Sequence, residues 1–392
     1  MYDAIIVGAR CAGAATAMLL ARRGHKVLLV DRATFPSDIP HGHLLHRRGP
    51  ARLQRWGLLK RVAATGAPPI TDITSDYGDF ALTDRNVLVD GAPLGYGPRR
   101  RAADQVLLEA AVEAGAELRT GFAVQECIGD GERITGIRGR EAAGRSMVTE
   151  LAGVTIGADG RNSRLARTVG APAYEALPPL TCWYFSYWSG VANEGLELYL
   201  RDRRLIIAFP AEDGLLAVFV AWPASMLPQV RSEIPHHFME ALQAAPDLAG
   251  RIRAGRQEDR YYGASDLPNF LRRPHGPGWA LVGDAGCHKD PFLALGMCDA
   301  FRDAELLSDA LDAAFSGHRP LDEALAGYHQ ERDRSTLPDY HLNAHLARTL
   351  AAPEQLLRLR AEVRGDPRAT RRYVLSGQGV TEPDASYLET AS

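Results

Sequence analysis

Lysine is almost missing from this chain. Only Lys26, Lys60 and Lys289 occur in 392 residues, against 45 lysines and arginines together. The densest basic cluster is Arg99-Arg100-Arg101, and the net charge is −3. Such a chain has no cationic stripe able to neutralise a phosphate backbone, which argues against nucleic acid as a partner. Cysteine is scarce too: five residues, an odd number, none in C-x-x-C spacing. That pattern fits reduced thiols and a cytoplasmic location, and it argues against a dithiol relay. No run of 18 apolar residues is present, so no membrane span is expected. The N-terminus reads as a strand of the fold rather than a signal peptide. Internal repeats and low-complexity segments are also lacking. What remains is ordinary globular composition, 46% hydrophobic and 24% charged, in a chain longer than one core usually serves. Two intimately connected domains are expected.

The first thirty-one residues are the most informative. Tyr2 to Val7 reads as a buried parallel strand, Gly8-Ala9-Arg10-Cys11-Ala12-Gly13 as a tight turn, Ala14 to Arg23 as a helix, and Lys26 to Val30 as a second strand ending at Asp31. Glycines at such a turn let backbone approach a pyrophosphate, whose charge then sits at the positive end of the helix. Asp31 stands where an acidic residue accepts ribose hydroxyls, with Arg32 beside it. Gly8, Gly13, Ala17, Leu20, Gly24, Val27 and Asp31 fall in register with the longer FAD-type pattern. Arg10 replaces the middle glycine and is expected to bring a cation to the pyrophosphate.

Beyond Asp31 the pattern alternates. A helix is expected over 51–64 and another over 100–114, with strands around 117–138 and 153–156. From Leu180 to Ala221, β-branched and aromatic residues with turns at Glu194-Gly195 and Asp213-Gly214 predict antiparallel strands. The chain is nearly all helical after Gly296. The expected architecture is α/β: a Rossmann-like nucleotide-binding domain from 1–71, 98–172 and 266–318, an inserted antiparallel sheet from 72–97 and 173–265, and a helical C-terminal region, 319–392.

Two more motifs complete a set of three. Gly157-Ala158-Asp159-Gly160 follows a strand, and Gly283-Asp284 closes Trp279 to Val282, with Pro291 and Gly296 beyond. In this order and spacing the chain resembles the FAD-dependent monooxygenases of the single-component aromatic hydroxylase type, over about residues 1 to 310. Their superfamily is shared with flavin-dependent halogenases and geranylgeranyl reductases. The resemblance implies FAD as cofactor and NAD(P)H as a transient reductant, since no second glycine-rich fingerprint is found. It implies flavin contacts at Gly8, Arg10, Gly13, Asp31, Arg32, Arg100, Val124, Asp159, Gly160, Asp284, Pro291, Gly296 and Met297. Asp284 would accept from a ribityl hydroxyl, and the backbone at Leu295–Met297 would meet the flavin pyrimidine. Here Ala294 replaces the first of the family's two glycines.

On the substrate side, Cys182 to Trp188 is the densest aromatic run. Tyr184 and Trp188 share one strand face, separated by the small Cys182 and Ser186, and that face is expected to look toward the flavin. Trp183, Phe185 and Tyr187 are expected to pack in the core. The resemblance adds Phe209-Pro210 near the ring, and places the His41 to His46 loop across it. His43 is the candidate acid/base and substrate contact. No metal is expected: His41 and His43 have no acidic or thiol partner at ligand spacing, and between His341 and His345 Leu342 stands where a zinc protease would need Glu. The resulting expectation is an oxygenation of a small hydrophobic, aromatic or polyketide-like substrate by O2 through a flavin C4a-hydroperoxide. The alternatives are a reductase of a hydrophobic alkene, against which Leu205 and Ile207 replace that family's aromatic pair, and a flavin-binding scaffold or cyclase. A halogenase lacks support, since no lysine lies between Lys60 and Lys289.

Overall fold

The computed structural model describes residues 1–39, 41–78, 80–141, 146–351 and 354–377. Its first sheet grows from the opening motif. Strand β1 (Tyr2–Val7), helix α1 (Cys11–Ala21) and strand β2 (Val27–Val30) form a βαβ unit with β1 and β2 parallel. Helix α2 (Arg100–Glu113) leads to β3 (Glu117–Arg119), which lies parallel to β2. A meander follows: β4 (Phe122–Gly129), β5 (Ile134–Glu141) and β6 (Met147–Gly157). The eleven residues of β6 serve two neighbourhoods. Residues 147–151 pair antiparallel with β5, whereas 152–157 run parallel beside β1. Side chains mark the change: the first half alternates exposed and half-buried, while Val154, Thr155 and Ile156 are all buried, as a strand covered on both faces requires. Trp279–Leu281 adds the last parallel strand. The parallel order is thus β3, β2, β1, β6, then 279–281, with α1 buried nearly all round against it.

The second sheet contains β7 (Thr181–Ser189), β8 (Leu196–Arg201), β9 (Arg204–Pro210) and β10 (Leu216–Pro223) in the order β7-β10-β9-β8, all antiparallel. Ile73–Asp76 and Ala81–Asp84 extend its far edge. One feature differs from the all-antiparallel expectation: Ile73–Asp76 runs parallel to β8. The two strands are far apart in sequence, so no tight turn dictates their direction. Short helices α3 (Ile234–Ala241) and α4 (Pro246–Ala254) cover the outer face. Helices α5 (Gly296–Phe315) and α6 (Leu321–Thr349) follow, then Glu354–Val363 and Pro367–Gly377. The helix expected over 51–64 is two helices, Gly49–Arg55 and Leu59–Ala63, separated at Gly57. Gly57 has φ +77°, outside the right-handed helical region.

The two faces of β7 are reversed from expectation. Tyr184 and Trp188 look outward into the layer of α3 and α4, where the Trp188 ring stacks on Phe238 at 5.6 Å and Tyr184 meets Trp222 edge-on at 6.3 Å. Trp183, Phe185 and Tyr187 look inward with Leu44, Phe209, Phe219 and Phe292, toward the first domain. The gaps beside Cys182 and Ser186 are spaces that a second packing layer fills.

Candidate functional site

Three backbone turns converge because glycine leaves them no side chains. A Cβ on Gly8 (φ +107°) would lie 2.3 Å from the carbonyl oxygen of Ala158, and one on Gly13 would lie 1.8 Å from that of Gly8. These contacts press the β1–α1 turn against Gly157–Gly160. Gly283 (φ +61°) closes the group, since a Cβ there would meet the Ala12 methyl at 2.7 Å and that of Ala300 at 3.8 Å. The first turns of α1 and α5 therefore flank the Gly283–Ala285 turn. Neither helix has a side-chain cap at its N-terminus, which leaves N–H groups and the positive dipole ends for a ligand.

The carboxylates around this cradle divide by occupation. Asp31 is engaged by the turn itself: Oδ2 accepts from Ala9 N–H and Oδ1 from Ala33 N–H, each at 2.8 Å. Asp159 Oδ2 accepts from Arg164 N–H at 2.7 Å, while its buried Oδ1 has no partner among the described residues. Gly160 follows with φ +78°. No hydrogen bond to the Asp284 carboxylate is found among the described residues either. Uncapped helix ends, backbone brought close by glycine and two carboxylates with oxygens that lack protein donors fit a dinucleotide carrying ribityl hydroxyls.

Arg10 is placed differently from expectation. Its guanidinium is bound to the protein: Nη1 donates to Asp104 Oδ2 at 2.7 Å and Nη2 to Ser37 Oγ at 3.1 Å, with the Phe35 ring 5.4 Å away. Asp104 is fully buried and also accepts from Arg100, four residues back on α2, at 3.0 Å. The cation that replaces the fingerprint glycine thus helps neutralise a buried acid. Arg32 is exposed beside Asp31, and Val124 packs half-buried with Tyr2, Ile5 and Phe122. Pro291 opens the turn Pro291–Leu293; Ala294 follows in the left-handed region (φ +51°), and Gly296 and the buried Met297 begin α5.

Next to the Arg10–Asp104–Arg100 group lies a cavity of about 180 Å³, lined by the rings of Phe185, Tyr187 and Tyr262, by His41, His43 and Ile39, and by the charged Asp38, Arg99, Arg100 and Arg260. His43 Nε2 and the Tyr187 hydroxyl are 2.9 Å apart, and the His43 ring packs among Tyr187, Phe209 and Phe219. Burial, with the Arg99 charge nearby, pulls His43 down to about 3. It is therefore neutral at neutral pH. Its expected use as an acid/base near pH 7 gives way to a neutral hydrogen-bonding role. Phe209 and Pro210 pack on Gly97, where a Cβ would lie 2.4 Å from the Pro210 carbonyl oxygen. Arg99 lies over the Tyr187 ring at 4.8 Å and is paired with Asp38 and Asp259 at 3.2 and 3.3 Å. Tyr187, Tyr262 and Arg99 were not among the expected substrate contacts. The run Arg99-Arg100-Arg101 signals a basic turn, but its spacing gives no sign which arginine faces the pocket.

Residues 1–261 match a family model described as an FAD binding domain. Protein FixC of Salmonella typhi is 32% identical over 395 residues, covering 90% of this chain and 86% of that protein. Squalene epoxidase 3 of Arabidopsis thaliana is 28% identical over 337 residues, 79% of this chain; the chain spans only 60% of that relative's length. The solved structure of the flavin-dependent brominase Bmp2 is similar at a TM-score of 0.83 and 18% identity, covering 98% of this chain and 94% of that one, a likeness of fold.

Proposed function

The chain belongs to the FAD binding domain family, a family of flavin-dependent oxidoreductases, and we propose that it is a monooxygenase. In this reading it uses NAD(P)H and O2 to oxygenate a small aromatic or polyketide-like substrate. The observation that carries the proposal is a cavity walled by Phe185, Tyr187 and Tyr262 that also takes in Arg100, which shares Asp104 with Arg10 at the start of α1. Bound FAD supplies the redox chemistry and the activation of O2. The protein does the rest. The N-terminus of α1 would hold the pyrophosphate, Asp284 would accept from the ribityl chain, and the N-terminus of α5 would offer its N–H groups to the pyrimidine ring. Phe185, Tyr187 and Tyr262 exclude water and offer flat surfaces to a planar substrate. The neutral His43–Tyr187 pair orients a substrate hydroxyl and can hold a proton at the Tyr187 oxygen beneath the Arg99 cation. Lys289 is ion-paired with Asp299 at 2.7 Å and does not line the cavity, so it offers no support for halogenation.

Rapid mixing of FAD-loaded protein with NADH or NADPH tests the proposal. The flavin band should bleach and return in air with consumption of O2. A flavin that neither nucleotide reduces overturns it in favour of a scaffold, and a reduced flavin that O2 fails to reoxidise favours a reductase. Asp284→Ala should weaken FAD binding by tenfold or more, as expected for a lost charged acceptor of about 1.5–3 kcal/mol. Its circular dichroism should match the parent. A fully loaded Asp284→Ala protein would place the ribityl contact elsewhere.

A further inference from the structure

The turn Pro291–Leu293, which aims α5 at the cradle, is fastened from three parts of the chain. From β7, the Thr181 amide and hydroxyl donate to Asp290 Oδ2 at 3.1 and 2.6 Å. From the histidine loop, His46 Nε2 meets the Leu293 carbonyl oxygen at 3.0 Å. The third tie comes from α6, in the helical tail that carries no motif. Asn343 is fully buried, and both ends of its amide are used: Oδ1 accepts from Leu293 N–H and Nδ2 donates to the Asp290 carbonyl oxygen, each at 2.9 Å. These two bonds bracket the turn and fix it two residues before α5 begins.

We propose that Asn343 is a positioning residue for the flavin: by clamping residues 290–293 it fixes where the α5 N-terminus points, and so sets how well the bound ring carries negative charge. The inference rests on the flavoprotein reading. Helix-end electrostatics fall off within about one turn, so a small displacement of this end is felt at the ligand. A leucine at 343 keeps the approximate volume and removes both hydrogen bonds, leaving the Leu293 N–H and Asp290 C=O without their partner. An aspartate keeps an acceptor for Leu293 and removes the donor.

The test measures the two-electron midpoint potential and the sulfite affinity of bound FAD in the parent, Asn343→Leu, Asn343→Asp and Val374→Ala. Val374 is buried in the last described helix, which packs on Ala81–Asp84 and Glu354–Val363, so its truncation loosens the tail and leaves every hydrogen bond of the turn in place. Asn343→Leu should make reduction about tenfold less favourable, about 30 mV for a two-electron couple. It should weaken sulfite binding in step, with Val374→Ala at the parental values and Asn343→Asp changed in the same direction. A loaded, folded Asn343→Leu protein with parental potential and sulfite affinity overturns the proposal. If the Asn343 variants lose FAD, amide exchange of the 288–300 peptide in the flavin-free proteins decides: faster exchange in Asn343→Leu than in the parent and Val374→Ala supports the clamp, and equal exchange in these three overturns it. A parent protein that binds no FAD refutes the flavoprotein reading instead, a result separate from the state of the clamp.

Discussion

The two faces of β7 are built from similar residues and perform different work. Outward, Tyr184 and Trp188 are sealed under α3 and α4, with Trp188 stacked on Phe238. Inward, Phe185 and Tyr187 are just as buried against protein, yet they line a cavity, and Tyr187 adds a hydrogen bond with His43 and a cation–π contact with Arg99. Burial therefore does not separate packing from function here. The distinction lies in whether the neighbours are apolar rings from a covering helix or polar groups brought in from distant parts of the chain.

The largest expected effect tests the outer face. Trp188→Ala opens a cavity beneath α3 and should cost about 3–5 kcal/mol, read as a lowered denaturation midpoint. Flavin reduction in the surviving folded protein should be parental. A stable Trp188→Ala protein with altered flavin kinetics would restore the opposite assignment of the faces. The next effect concerns acid. His43 is held at about 3 by burial, whereas its ordinary value is 6.5. As pH falls below about 6.5, the unfolded chain takes up a proton that the folded protein refuses, so stability declines toward pH 3. One such group contributes a slope of up to about 1.4 kcal/mol per pH unit. His275, buried and lowered to about 4 mainly for that reason, adds in the same direction. Urea unfolding between pH 7 and about 5 should show a shallower loss in His43→Gln than in the parent; parallel curves would mean that His43 protonates in the folded state. The smallest expected effect is that of Tyr187→Phe. It removes one buried hydrogen bond and should cost about 1 kcal/mol, while releasing more hydrogen peroxide per NAD(P)H oxidised. Unchanged coupling would reduce Tyr187 to a packing residue, like Trp188.

The sequence by itself determined the βαβ unit, the three glycine-bearing turns and the aromatic strand. Those features are local: a glycine at a forced approach, a run of buried strand residues and a 3.6-residue helical period are set by neighbours a few positions away. The broken helix at Gly57 is the local exception, where one glycine interrupts an otherwise helical pattern. Only the tertiary structure decided the rest. Which face of β7 looks inward depends on α3 and α4, whose placement no strand periodicity encodes. Arg10 turns to Asp104, 94 residues away, because a fully buried carboxylate needs charge more than a surface turn does. Asn343 reads as one more polar residue on a long helix until its amide is found spanning Asp290 and Leu293. Contacts between distant segments follow from how whole layers stack, and a single sequence carries no signal of that stacking beyond the burial each residue demands.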